Sequence, residues 1–398
     1  AITAVFYNIF GGNSSLYDFT VLFPLVIGSL TSIVVFALVR VIGGTTAGLL
    51  ASLMFAISLP ILVRGLIGWY KSEPLGLFLG FLSMYLLLSA IKNNKGKITA
   101  IKMIFAGIFL TLGLTSWGGM QFLFLPLAAF FIALPFFKHD NKFLLWAIPL
   151  FSISLLLTAS LFERPELIGI DSETSDTPGL KITMTGYLVL LPTIFTVLIL
   201  IVQVFSNQTT RIRNSLIMLG IFVASGIAVV SSGIALPSFR YLNAVNPSLT
   251  ATDPLTTSVS EHATAATSDI FFAHSVFIIF GLIGLWLLFT VKSKNSKFAI
   301  PNHMKAFAVI FGLIGIYTSS VFIRMEVFGS VALIVLGSLG LAILLQQVLD
   351  KPNIKIKFIF CIVIIGIFLA PLTYPEERNW VTQAKVMPTI FTGASLLI

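Results

Sequence analysis

Charge is scarce in this chain: only 10% of its 398 residues are Asp, Glu, Lys or Arg, against about 25% in soluble domains. A soluble helical protein needs a polar back face on every helix. A mean hydropathy of +1.03 leaves too few polar residues to build one. Cysteine is scarcer still. Cys361 is the only one, so no intrachain disulfide can form, and its setting in Phe358-Ile359-Phe360-Cys361-Ile362-Val363 marks it as a small packing residue. There is no Gly-rich phosphate loop, no Gly-x-Ser-x-Gly elbow and no His-Glu-x-x-His pair, which removes the common nucleotide-binding, serine-hydrolase and zinc-protease classes. Heptads, short tandem repeats and low-complexity tracts are missing too.

What the chain has instead is long apolar runs. Phe occurs 37 times against 24 for Lys and Arg together, which suits lipid-facing helices. A spanning helix needs about 20 mostly apolar residues. By that measure segments near 18–40, 45–65, 74–91, 100–116, 119–137, 143–163, 186–205, 214–236, 270–291, 304–328, 330–348 and 356–373 qualify. The expected fold is therefore an all-α polytopic membrane protein with about 12 transmembrane helices.

Taking alternate connections as one side collects Arg40, Lys92, Lys95, Lys97, Lys102, Lys138, Lys142, Arg211, Arg213, Lys292, Lys294, Lys297, Lys305, Lys351, Lys355 and Lys357. That side is cytoplasmic by the positive-inside rule. The other side receives most of the acids, Glu73, Asp253, Glu261, Asp269 and Glu326 among them. The net charge of +9 is thus mostly topology rather than a nucleic-acid surface.

Five stretches follow: 1–17 as the tail of a first outer loop, 18–236 as a group of about eight helices, 237–269 as an outer loop, 270–373 as a group of about four, and 374–398 as an outer segment leading onward. The interval 163–181 is expected to be a flexible outer loop. The chain begins at Ala1 without an initiator Met and ends at Ile398 without a polar tail, so it reads as a piece of a longer protein.

Three polar constellations fall on the outer side. The first is the 237–269 loop, with Arg240, Asp253 and the run Thr257-Ser258-Val259-Ser260-Glu261-His262. Polar loops this long are functional or disordered. Glu261 reads either as a catalytic carboxylate or as a solvated loop acid. His262 lacks a second His or Cys at ligand spacing, which argues against zinc, and His274, in an apolar segment, reads as a satisfied polar group. The second is Gly68-Trp69-Tyr70-Lys71-Ser72-Glu73-Pro74, where Pro74 suits a helix start and Glu73 is either a cap charge or a ligand. The third is Arg324, inside an apolar segment, where an ionisable residue is a functional candidate by default. Its plain alternative is a side chain that snorkels to the interface. Oxygen ligands such as Glu73 and Glu261 suit Mg²⁺ or Mn²⁺, and Arg324 suits an anion.

Taken in order, these residues resemble the catalytic subunit of oligosaccharyltransferase, the asparagine-linked glycosylation enzyme, in its archaeal and eukaryotic forms. The resemblance rests on Ser258-Val259-Ser260-Glu261 preceded by Phe239-Arg240-Tyr241, and on Arg64-Gly65-Leu66-Ile67-Gly68-Trp69-Tyr70-Lys71-Ser72-Glu73. It also rests on Ser116-Trp117-Gly118-Gly119, Val321-Phe322-Ile323-Arg324-Met325 and the Pro24–Gly48 helix and turn. It implies a GT-C glycosyltransferase fold with thirteen spanning helices, of which the first would precede this chain. It also implies transfer of an oligosaccharide from a polyprenyl or dolichyl phosphate or diphosphate to the Asn of Asn-x-Ser/Thr in an acceptor polypeptide, with Mn²⁺ or Mg²⁺. By the same resemblance Glu261 contacts metal and acceptor amide, Glu73 binds the metal, and Arg324 holds the donor phosphate. Trp117, Lys71, Ser260, His262 and Arg240 line the pocket. Two departures stand out. Lys71 occupies a position that is acidic in the family, and the family's first acidic motif and its Trp-Trp-Asp motif lie outside this chain. A transporter or flippase of a lipid-linked or anionic substrate, and an inactive family member, remain the alternatives.

Overall fold

The computed structural model describes the chain except residues 1, 69, 94–95, 139, 163–167, 172–178, 183, 207, 232–263, 266, 292–299, 350–353 and 370–398. Helices α1 (Ile2–Phe10), α2 (Leu16–Ile57), α3 (Leu59–Arg64), α4 (Glu73–Lys92) and α5 (Gly96–Ser116) lead into a 3₁₀ turn (Gly118–Leu123) and then α6 (Phe124–Phe137) and α7 (Asn141–Leu161). A hairpin of β1 (Ile168–Asp171) and β2 (Gly179–Ile182) precedes α8 (Met184–Phe205) and α9 (Gln208–Ser231). After the 232–263 interval come α10 (Thr267–His274), α11 (Val276–Thr290), α12 (Asn302–Val321), a 3₁₀ turn (Ile323–Met325), α13 (Glu326–Leu349) and α14 (Ile354–Leu369). Among the described residues, nine helices are long and apolar enough to cross a membrane, and α11 and part of α14 are shorter apolar helices. The protein is an all-α, multi-pass integral membrane protein.

Helix α2 carries two of the expected spans. Gly44, at φ 86°, breaks it, a left-handed conformation that glycine adopts without strain. The arms then fold back on each other, because the Ser32 hydroxyl donates to the Ser52 carbonyl at 3.3 Å. Gly48 makes that approach possible, since a Cβ there would lie 2.7 Å from the Phe36 carbonyl oxygen.

The centre of the bundle is α13, whose most apolar window is 94% buried, whereas the corresponding window of α9 is 6% buried. Both helices are apolar all round, because lipid and protein interior reward the same side chains. Close approach to α13 relies on small residues. A methyl group at Gly284 would run into the Leu336 carbonyl, and one at Gly340 would run into the Gly284 backbone. Gly284→Ala therefore must push α11 off α13. A loss of about 1–3 kcal/mol is expected for such overpacking, checked as a fall in the thermal unfolding midpoint in detergent.

The lysine-rich end of the bundle is stitched by lysine side chains. Lys92 donates to the Val41 carbonyl and Lys138 to the Ile91 carbonyl, Lys305 to the Val291 carbonyl at 3.1 Å, and Lys102 to the Ser89 hydroxyl at 2.7 Å. These ammonium groups satisfy oxygens left over at helix ends and complement the negative end of the helix dipole. Burial holds the Lys138 ammonium below the usual lysine range, with Asp140 acting in the opposite sense.

Residues 2–10, within the stretch expected as the tail of an outer loop, form a helix. The 163–181 interval includes paired strands, with Ile168 opposite Ile182 and Asp171 opposite Gly179. The boundary expected near 328–330 lies earlier. Phe322 is extended, at φ −137° and ψ 121°, and α13 starts at Glu326, where an acid at the first turn is favoured. Arg324 therefore sits in a connection between spans and not inside one.

Candidate functional site

The site forms at the end of the bundle opposite the lysine end. Glu73 opens α4 and Lys92 closes it, so the two ends are separated by about 30 Å, the length of a 20-residue helix. Helix α3 ends at Arg64, and Gly65 to Ser72 form the connection to α4. Gly68 turns that connection at φ 81°, and its N–H donates to the Val21 carbonyl at 3.0 Å, docking the turn onto α2. The result brings Arg64 face to face with Glu73. Arg64 Nη1 donates to Glu73 Oε1 at 2.7 Å and to Oε2 at 2.6 Å. Arg324 Nη2 approaches Oε1 at 3.6 Å, an ion pair too long for a hydrogen bond.

Glu73 is the buried member of this triad: its side chain is 2% exposed, against 17% for Arg64 and 34% for Arg324. A buried carboxylate is tolerated only where it is paired and hydrogen-bonded, and here two guanidinium groups do this. Glu326 lies within electrostatic reach of Arg64 and of Asp269, so more peripheral acids flank the two arginines and the buried Glu73.

Trp117 sets the spacing. It is 4% exposed, and its ring stacks on Phe328 of α13 with centroids 5.7 Å apart and planes 4° apart. On its other side a Cβ at Gly76 would lie 2.7 Å from Trp117 Cβ. The indole thus separates the first turn of α4, which carries Glu73, from the start of α13, next to Arg324.

Of the residues expected from the sequence, the structure brings Glu73, Arg324 and Trp117 together at one end, and Lys71 lies two residues from Glu73, half-buried. Arg240, Ser260, Glu261 and His262 lie outside the described residues. Arg64 was missed as a site residue. The signal for it was an arginine on the otherwise lysine-poor side, nine residues before the one acid of the stretch. Among the described residues, no group of three or more His, Cys, Asp and Glu converges as a metal site, and both Glu73 oxygens face Arg64. The described part of the cluster is an arginine–carboxylate anchor. By itself it does not make a metal cage.

Comparison with known proteins places this arrangement. The family model described as "Oligosaccharyl transferase STT3, N-terminal" matches residues 1–263. Among solved structures, the oligosaccharyltransferase AglB from Archaeoglobus fulgidus in complex with an inhibitory peptide and a dolichol-phosphate is 14% identical. It aligns with a TM-score of 0.70 over 96% of this chain and 46% of that one. The same protein tethered to an acceptor peptide with the NVT sequon aligns at 14% identity, a TM-score of 0.67 and the same coverages, 96% and 46%. Its complex with Zn and sulfate aligns at 15% identity and 0.63, over 96% of this chain and 43% of that one. The chain thus spans a little under half the length of these structures and shares their GT-C fold across nearly all of its own. With a family model covering well over half of its residues, the chain belongs to the oligosaccharyl transferase STT3 family.

Proposed function

We propose that this chain forms the membrane part of an oligosaccharyltransferase. It takes an oligosaccharide from a polyprenyl or dolichyl phosphate or diphosphate and transfers it to the asparagine of Asn-x-Ser/Thr in an acceptor polypeptide. The observation that carries the proposal is the Arg64–Glu73–Arg324 cluster at the lysine-poor end, inside a fold shared with a relative bound to dolichol-phosphate. Arg324 is the most exposed of the three, and its guanidinium suits a phosphate oxygen better than a lysine would. Negative charge that develops on the departing phosphate is stabilised by a cation already held in place. Glu73 is what holds it, through its contact with both arginines.

Glu261 is assigned the acceptor. Its carboxylate takes a hydrogen bond from the asparagine amide and so exposes the amide nitrogen as a nucleophile, with Ser260, His262 and Arg240 of the same 237–269 stretch as candidate pocket residues. That loop is assigned to the extracytoplasmic side, between the helix groups 18–236 and 270–373, because lysines gather at the other end. Mn²⁺ or Mg²⁺ belongs to the proposal through Glu73 and Glu261. Bound there, it would supply Lewis-acid polarisation and a template for the phosphate. The polar residues cluster at one end rather than at mid-membrane, the usual place of a transporter site, which favours an enzyme over a flippase.

The test is a transfer assay on the full gene product in detergent or nanodiscs, with a lipid-linked donor and an Asn-x-Thr peptide, with and without chelator. Glycopeptide formation that chelator abolishes and Mn²⁺ restores is the expected result. A folded protein that transfers from no lipid-linked donor, metal present, would move the reading to the inactive or transporter alternatives, with Lys71 beside Glu73 as the first place to look.

A further inference from the structure

Helix α10 touches two of the elements that bear charges of the site. It packs against α3, which ends in Arg64, against α11, and against α13, which starts with Glu326. Just before it, the Ala265 N–H donates to the Ser320 carbonyl at 3.1 Å, four residues ahead of Arg324. The last residue of α10 is His274, 2% exposed. Its Nδ1 lies 3.1 Å from the Ser330 hydroxyl of α13, while its Nε2 is buried and finds no hydrogen-bond partner among the described residues. The sequence suggested a fully satisfied imidazole. The structure satisfies one nitrogen.

The next residue makes the contact more informative. Ser275 has φ 44° and ψ −120°, the only positive φ at a non-glycine among the described residues, and such a backbone persists only where its surroundings enforce it. Gly329, next to Ser330, lets the imidazole in: a Cβ there would lie 3.2 Å from His274 Nε2 and would collide with the Ser319 hydroxyl. A strained hinge, a half-satisfied buried imidazole and a glycine seat thus coincide where α10 meets α13. An unpartnered buried nitrogen costs free energy that a leucine at this place would avoid, so packing alone does not account for a histidine.

We propose that His274 is a positioning residue: its Nδ1–Ser330 hydrogen bond locks α10 onto α13 and so helps fix α3, which ends in Arg64, relative to the start of α13 at Glu326. Its effect on catalysis rests on the transferase reading above, whereas its effect on α10 does not. Asparagine places a polar atom where Nδ1 stands, and leucine fills the volume without one, so the two substitutions separate hydrogen bonding from packing.

The experiment compares wild type, His274→Asn, His274→Leu and Ser330→Ala by amide hydrogen exchange over 264–274 and 322–326, together with transfer kinetics. In His274→Leu and Ser330→Ala, exchange over both stretches is expected to rise on the order of tenfold, the scale of one lost hydrogen bond. Turnover kcat should fall about tenfold with acceptor KM little changed, as for a misplaced group. The double variant should lose no more than either single one, and His274→Asn should restore both readouts to within about threefold of wild type. Exchange that is unchanged in His274→Leu, or as fast in His274→Asn as in His274→Leu, overturns the proposal. If no variant or wild type transfers sugar, the transferase reading fails and the exchange data alone decide this one.

Discussion

Glu73→Ala is expected to destabilise the protein by about 3–5 kcal/mol, the usual loss when one partner of a buried ion pair is removed. The mostly buried Arg64 would be left without the carboxylate that receives both of its hydrogen bonds, and Arg324 would lose its ion pair with Glu73. The loss is read as a lower unfolding midpoint in detergent, and transfer should vanish with it. A double replacement, Arg64→Met with Glu73→Met, separates the two effects. Exchanging a buried pair for apolar side chains of similar size is often neutral, so the double variant should regain most of the stability. Transfer should not return, because the charged contact between Glu73 and Arg324 would be gone. A double variant that transfers sugar normally would reduce the cluster to a structural tie.

Glu261→Gln is expected to leave the unfolding midpoint unchanged and to lower transfer at least about a hundredfold, which corresponds to roughly 2.7 kcal/mol of transition-state stabilisation. Glutamine keeps the size and the carbonyl oxygen of the side chain and removes its charge, so the acceptor amide loses a charged hydrogen-bond acceptor. Hydrogen bonds to charged groups are worth about 1.5–3 kcal/mol, the scale of the expected loss. Because the change lies in a polar loop, stability should not register it. Single-turnover transfer at saturating donor measures the effect. An unchanged rate would keep the family and remove Glu261 from the chemistry.

The fold was legible because bilayer helices announce themselves by length and by unbroken apolar runs. The spans at 74–91, 100–116 and 186–205 correspond to α4, α5 and α8 within a few residues. Depth in the bundle was not legible. Helix α13 and helix α8 are about equally apolar in sequence, yet the most apolar window of one is 94% buried and that of the other 44%, since nothing in an apolar side chain distinguishes a lipid tail from another helix. The break at Phe322 was hidden for a related reason, because apolar residues run on through the connection and leave no polar loop to mark it. Arg324 consequently looked like a charge within the membrane.

The site was half legible. Glu73 and Arg324 stood out as charges where charge is rare. Their meeting across about 250 residues is a property of tertiary packing, set by Trp117 between α4 and α13, and no local pattern encodes it. Arg64 was overlooked because a lone arginine at a helix end is ordinary C-terminal charge compensation, and only the turn at Gly68 aims it at Glu73. The orphaned nitrogen of His274 was equally out of reach, since a sequence shows that a histidine is in an apolar run but not how many partners it finds there.

On this reading the arginines in contact with Glu73 receive the phosphate of a lipid-linked sugar. Binding of a polyprenyl phosphate to the purified protein, compared between wild type, Arg324→Gln and Glu261→Gln, tests it without requiring turnover. The account predicts that wild type and Glu261→Gln bind alike, and that Arg324→Gln binds at least about tenfold more weakly, the 1.4 kcal/mol scale of one charge-assisted contact. Equal binding by wild type and Arg324→Gln would contradict it and place the phosphate elsewhere.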